Sequence, residues 1–239
     1  MLRVRFIFFG GMVLLALTLV SSAQGTKNAG KQQPSNQAWR ETFNADKANL
    51  VDTGRNTYFV LEPGYRLTFE HGKDSLIITV LDETKIVDGI KTRIIEEREN
   101  EGGQLIEVSR NYFAIDKTTN DLYYFGEDVD MYKNGKVTSH EGSWLAGVNG
   151  ARFGLMMPAK PKVGDKYYQE QAPKVALDRA EIISVTETAK VPAGAFNNVL
   201  HTRESSGLES GNEDKWYAPD VGLIKDAEFV LAKVEKGKM

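Results

Sequence analysis

From residue 58 onward the apolar positions recur with a period of two, the mark of half-buried β-strands. Tyr65, Leu67 and Phe69 alternate with Arg66, Thr68 and Glu70. Leu76, Ile78 and Val80 keep the same rhythm, with Ile77 and Leu81 on the other face. Ile90, Thr92 and Ile94 continue it, then Ile106, Val108 and Tyr112, then Leu122 and Tyr124. The breaks carry turn residues: His71-Gly-Lys-Asp74, Asp88-Gly89, Glu101-Gly-Gly103, Asp116 to Asn120 and Asn134-Gly135. Asn-Gly suits the two positive-φ positions of a type I′ turn, so the runs read as hairpins of an antiparallel meander. Outside the first 37 residues a helical spacing is found at Trp39, Phe43 and Leu50, which fit either one short helix face or an extended segment docked on the sheet.

The parts recur in order. Pro63-Gly64-Tyr65, Ile78 to Gly89, Thr92-Arg93 and Asp121-Leu-Tyr-Tyr124 come first. About 100 residues later stand Val163-Gly164-Asp-Lys-Tyr167, Ile183 to Gly194, Thr202-Arg203 and Asp214-Lys-Trp-Tyr217. A meander buries one face only, so two such halves have to share a core. The predicted fold class is all-β: antiparallel meanders in two duplicated halves that share one core as a barrel, half-barrel or sandwich. The first meander covers 58–142 and the second 163–239, with 38–57 as an N-terminal segment and the Gly- and Pro-rich 143–162 as a crossover loop.

The N-terminus reads as an address. Arg3 and Arg5 precede an apolar run from Phe6 to Val20, and Ser21-Ser22-Ala23 puts small residues where a signal peptidase reads. A retained anchor is the alternative, but the run is short for a span of about 20 residues and no basic cluster follows it. Cleavage near Ala23 predicts an exported protein, periplasmic or extracellular, with membrane contact through the uncleaved signal segment only. Residues 24–37 contain no apolar side chain larger than alanine apart from Pro34, too little to offset ordering entropy, and read as a flexible tether.

Composition narrows the function classes. At 41% hydrophobic and 26% charged, the 239-residue chain matches ordinary globular proteins. A formal charge of −3 with dispersed lysines provides no field for nucleic acid. The absence of cysteine excludes disulfides, thiolate metal sites, a cysteine nucleophile and a cysteine-linked lipid anchor.

The densest polar block is Glu127, Asp128, Asp130, Tyr132, Asn134, His140 and Glu141, framed by Tyr123, Tyr124, Phe125 and Trp144. Counted from Asp130, a twelve-residue calcium-loop frame finds Asn134, Gly135 and Glu141 in place, but Tyr132 stands where an oxygen ligand belongs. Counted from Asp128, it meets Lys133 where glycine is needed. Asp128, Asp130, Asn134 and Glu141 are thus candidate ligands for calcium, although a plain hairpin turning at Asn134-Gly135 accounts for the same residues. A catalytic version would pair Glu127 with Glu141 as acid and base across a glycoside. Tyr123, Tyr124, Trp144 and Trp216 are the candidate ligand-binding aromatics, since sugar and apolar ligands pack on such rings. His71, His140 and His201 are too scattered for a metal triad, and no nucleophile elbow, zinc-protease helix or phosphate loop is present.

Tyr58-Phe-Val-Leu-Glu-Pro-Gly-Tyr65, Phe125 to Val137, Val191-Pro-Ala-Gly-Ala-Phe196 and Trp216-Tyr-Ala-Pro-Asp-Val-Gly-Leu-Ile-Lys225 resemble the signature stretches of a family of exported bacterial β-rich proteins. That likeness spans about residues 55–230 and implies no activity, because the family has none established. The Pro-Ala-Gly-x-Phe and Tyr-Ala-Pro-x-Val-Gly-Leu stretches are also similar to lipoprotein-carrier-like half-barrel domains. The resemblance implies a non-catalytic envelope protein that binds an apolar or amphipathic ligand or an envelope partner, whether protein, lipid or glycan. The alternatives are a carbohydrate-active enzyme or carbohydrate-binding module built on 123–144, and a calcium-stabilised structural module.

Overall fold

The computed structural model describes residues 38–237; the signal read over 1–23 and the tether over 24–37 lie outside the described residues. The main strands form one antiparallel meander in chain order. They are β1 (Arg66–His71), β2 (Asp74–Val87), β3 (Ile90–Glu101), β4 (Gln104–Asp116), β5 (Leu122–Lys133) and β6 (Arg152–Met157). After a short run at 166–171 come β7 (Asp178–Val191), β8 (Gly194–Ser206), β9 (Glu213–Ala218), β10 (Gly222–Asp226) and β11 (Phe229–Glu235). The expected turn at Asn134-Gly135 has φ of 54° and 73°, and Asp88-Gly89 has 49° and 78°.

Two junctions bring the sheet round on itself. β11 pairs with β1, Leu231 opposite Phe69. Then Lys166–Tyr168 pairs with β7 while Glu170–Gln171 pairs with β6, so both ends of the sheet meet on one run of chain, interrupted at Gln169. The sheet is nearly closed as a barrel, one of the architectures the patterning allows. Gly154 on β6 permits the closure, because a Cβ there would collide with the Gln169 backbone.

The interior holds one hydrophobic core to which every wall contributes. β11, β1 and β2 point Leu231, Phe229, Leu67, Phe69, Leu76 and Val80 inward, all fully or nearly buried. Each such side chain contributes about 1.5–3 kcal/mol of burial. From β3 round to β10, apolar side chains such as Ile95, Phe113, Ala180 and Tyr217 are mixed with the buried acids described below. One end of the barrel is plugged by the hairpin of Gly54–Asn56 and Phe59–Leu61. Its Phe59 ring lies 5.4 Å from Phe113, Tyr58 Oη donates to the Asn198 carbonyl at 3.1 Å, and Asn56 Nδ2 donates to the Asn120 carbonyl at 2.8 Å.

Residues 38–50 take the docked, extended alternative. Trp39 packs edge-on against Tyr168, Arg40 forms a parallel bridge with Tyr167, and Gln171 Nε2 donates to the Glu41 carbonyl at 2.6 Å. This strap therefore covers the run that closes the barrel; its one helical turn is Lys47–Asn49, capped by Asp46.

The two halves open with turns built alike. Gly64 N–H donates to the Val80 carbonyl at 2.8 Å, and Gly164 N–H donates to Ile182 at 2.9 Å. Val80 and Ile182 answer with N–H bonds to Tyr65 and Asp165, both at 2.9 Å. The segment 143–162 corrects the expectation of a crossover loop. It contains β6 and the strand pair Trp144–Leu145, because its glycines and prolines flank the apolar stretch Phe153 to Met157 without interrupting it. No helix among the described residues is long and apolar enough to cross a membrane.

Candidate functional site

Strand alternation divides the acidic block of residues 127–141. Glu127 points into the barrel and is fully buried, whereas Asp128 and Asp130 lie on the outer side. Asp128 accepts from Lys85 Nζ at 2.8 Å and from the Tyr112 hydroxyl. Asp130 pairs with Arg110 at 3.3 Å and with His140 at 2.9 Å. Asn134 sits in the hairpin turn, and Glu141 is exposed in the following loop, where its backbone N–H donates to Ser139 Oγ. The four candidate calcium ligands do not converge. Among the described residues, no three His, Asp or Glu side chains come together as a metal site. Glu127 and Glu141 are likewise on different sides of the sheet and do not face each other as an acid–base pair.

Glu127 belongs instead to a cluster that no stretch of sequence displays. Glu97 and Glu99 on β3, Glu107 on β4, Glu127 on β5, Glu170 on the closing run, Glu204 on β8 and Asp226 on β10 are all buried, and Asp178 on β7 has its Oδ1 enclosed. Lys215 on β9 lies among them, 3.2 Å from Glu204 and 3.5 Å from Asp226. Eight ionised carboxylates around one ammonium, away from water, would cost several kcal/mol each. Burial accordingly pushes the carboxyls of Glu97, Glu127, Glu170 and Asp226 well above the usual range, and neighbouring acids push the same way. Burial also raises Glu99 to about 8, Glu107 to about 7 and Asp178 to about 6. For Lys215, burial works against the charged form, but Asp226 and Glu204 outweigh it and hold the ammonium above the ordinary lysine range.

The cluster has two sides. On one, Glu204 accepts from Lys215, from Gln169 Nε2 at 3.1 Å and from Thr202 Oγ1 at 3.3 Å. On the other, Glu127 and Glu170 are fully buried, with the Tyr124 hydroxyl against Glu127 and the Trp144 indole against Glu170. Asp178 shares a hydrogen bond with Glu170 there, and the Tyr124 hydroxyl also donates to Asn111 Oδ1 at 2.6 Å. Trp144 stands between this second side and solvent. It pairs in register with Glu127, its ring meets Tyr124 edge-on at 5.3 Å, and it lies beside Glu170. Gly126 allows Trp144 so close, since a Cβ at that position would collide with the Trp144 carbonyl.

Outside Trp144 is an open groove of about 250 Å³, lined by Trp144, Leu145, Val148, Ala151, Ala172, Pro173 and Val175, with Asp128, Ser143 and Asn149 as its polar members. Val148 and Val175 on its rim are 49% and 39% exposed. A second, smaller cavity of about 30 Å³ lies between the plug and the lumen, lined by apolar side chains and Glu97. That is room for a water or a methyl group, not for a lipid chain.

Of the aromatics singled out in the sequence, Tyr124 and Trp144 come together at the groove. Tyr123 faces the other way, against Phe43 and Phe153. Trp216 sits on the outer face of β9, stacked on His201 at 4.6 Å, donating to Glu187 and covered by Lys225. It is not part of the site. Sequence reasoning missed Glu97, Glu99, Glu107, Glu170, Asp178, Glu204, Lys215 and Asp226. The signal that could have found them is charged residues at core-parity positions, such as Glu97 and Glu99 in step with Ile95.

No known family's sequence profile matches the chain, and no curated protein matches it. Among solved structures it is similar to a candidate lipoprotein of Parabacteroides distasonis ATCC 8503, with a TM-score of 0.37 and 12% identity over 77% of this chain and 100% of that one. A likeness at that score carries no argument about fold or activity, so the functional reading rests on the barrel itself.

Proposed function

We propose that this is an exported, non-catalytic protein of the cell envelope that holds a small amphipathic molecule in the groove floored by Trp144. Export rests on the signal-like segment 1–23. The observation that carries binding is the groove: an apolar, solvent-open recess rimmed by Val148 and Val175 and backed through Trp144 by buried polar groups. Concave apolar surface with a few convergent polar groups is the usual form of a small-molecule site. At about 250 Å³ the recess suits a single short chain or ring better than a diacyl lipid. Catalysis has no support in the arrangement, because the buried acids face one another and no nucleophile is set against a base.

Native mass spectrometry of the protein purified after export tests the reading. The expected spectrum shows a bound small molecule, lost when Val148→Asp and Val175→Asp place charge on the exposed rim. A bare mass for the unaltered protein, together with no uptake of eight-carbon probes, would remove the reading.

A further inference from the structure

We infer that the cleft between the strap and the loop after β6 is a second binding site, one that takes a sugar phosphate. It stands apart from the groove at Trp144. Ala151, just before β6, lines the groove, and Pro158, just after β6, lines the cleft. A strand of that length sets the two openings roughly 20 Å apart.

The cleft encloses about 550 Å³, room for a small organic molecule rather than a bare ion. Four cations line it: Arg40 from the strap, Lys160 and Lys162 from the loop, and Lys166 from the run that closes the barrel. Two acids, Asp121 and Asp165, stand among them, and each is engaged with the backbone. Asp121 Oδ1 accepts from the Ala159 N–H at 2.7 Å, and Asp165 Oδ2 accepts from the Lys162 N–H at 3.0 Å. The acids thus tie down the loop that presents the two lysines, and Pro158 and Pro161 fix two of its φ angles. Arg40 is held by its backbone, its N–H donating to Lys166 at 2.9 Å and its carbonyl accepting from Tyr168 at 3.0 Å. Its guanidinium lies over the Phe43 ring at 4.9 Å, a contact that places the charge without neutralising it.

Lys166 keeps Glu181 at 3.5 Å. Among the described residues, Arg40, Lys160 and Lys162 have no carboxylate in an ion pair. A chain of net charge −3 therefore turns three such cations toward one recess. A phosphate monoester carries about −1.5 to −2 at pH 7 and offers three acceptor oxygens, one for each of them. A single carboxylate would leave most of that charge unmatched. The second oxygens of Asp121 and Asp165 are left to accept from hydroxyl groups, which favours a sugar over an alkyl chain as the body of the ligand.

The test is calorimetric titration of the purified protein at pH 7 with glucose 6-phosphate, glucose and inorganic phosphate. Glucose 6-phosphate is expected to bind at least about tenfold more tightly than either of the others, the scale of one charge-assisted hydrogen bond, and to weaken as salt rises. Lys160→Ala with Lys162→Ala, both exposed, should lower that affinity about tenfold or more, and Arg40→Gln should lower it as well. Lys133→Ala with Lys136→Ala, at the Asn134-Gly135 turn, should leave it unchanged, as should Val148→Asp with Val175→Asp in the Trp144 groove. Glucose binding as tightly as its phosphate, or no binding of either, would overturn the inference. Inorganic phosphate binding as tightly as the ester would reduce the cleft to an ion site and overturn the sugar. An equal loss in the two lysine pairs would assign the affinity to diffuse surface charge and overturn the site.

Discussion

Two acidic regions lie back to back on the same strands, and they obey opposite rules. On the outer face of β4 and β5, Asp128 and Asp130 each have a cation within 3.3 Å and water beyond it. On the inner face eight carboxyls are gathered, and Lys215 pairs with two of them, Glu204 and Asp226. Outside, hydrogen bonds from Lys85 and Tyr112, offsetting partial burial, hold Asp128 below the usual carboxylate range. On the inner face desolvation pushes the carboxyls of Glu97, Glu99, Glu107, Glu127 and Glu170 upward, toward the neutral form. A strand separates residues adjacent in sequence by the thickness of a sheet, and a barrel gathers residues up to about 130 positions apart around one axis.

Breaking the inner arrangement at its cation should have the largest effect. In Lys215→Met, Glu204 and Asp226 lose the ammonium that holds them. Removing one partner of a buried ion pair costs about 3–5 kcal/mol, and the loss should appear in urea unfolding at pH 7 as a lower midpoint at unchanged slope. A change below about 1 kcal/mol would show that the carboxyls neutralise one another without the lysine.

That the barrel was legible and its interior was not has a physical reason. Period-two alternation survives on any strand with one buried face, so Leu67, Phe69, Leu76, Ile78 and Val80 announce β1 and β2 directly. The turns at Asp88-Gly89 and Asn134-Gly135 follow from residues that tolerate positive φ. Closure on the run 166–171 is unreadable, because Tyr168, Gln169 and Glu170 form no apolar pattern; register brings them between β6 and β7. The acids are hidden by the assumption that charge faces water. Glu97 alternates with Glu96 and Arg98, and nothing local says which of the three points inward. The block 123–144 is visible as a cluster, yet strand alternation turns Glu127 and Tyr124 inward and leaves Asp128, Ser143 and Trp144 to line the groove.

The contrast should next appear in pH dependence. Glu99 and Glu107 stand opposite each other in register, and burial raises them to about 8 and about 7. In the unfolded chain glutamate titrates near about 4.3. The folded state therefore binds more protons between these values. Stability is fully present below the unfolded range and is lost as pH rises, by up to about 1.4 kcal/mol per pH unit for each such group. The melting temperature should fall from pH 5 to pH 8.5. Glu99→Gln with Glu107→Gln should flatten that decline and melt about 1–2 kcal/mol more stably than the unaltered protein at pH 8.5. A pH-independent melting temperature in the unaltered protein would mean that the two acids stay ionised and hydrated.

The smallest effect is expected outside. Asp130→Asn removes a carboxylate 3.3 Å from Arg110 and 2.9 Å from His140, in a region that sequence alone would rank as the more important. Arg110 keeps Glu96 at 3.3 Å, His140 is 70% exposed and returns to water, and asparagine still accepts a hydrogen bond. Exposed pairs of this kind contribute about 0–1 kcal/mol. The variant should melt within that margin of the unaltered protein and keep the same decline between pH 5 and pH 8.5. A loss as large as that of Lys215→Met would place the stabilising electrostatics on the surface and reverse the comparison. The same acid chemistry therefore serves as a control on itself: one sheet, two faces, with burial as the variable that differs.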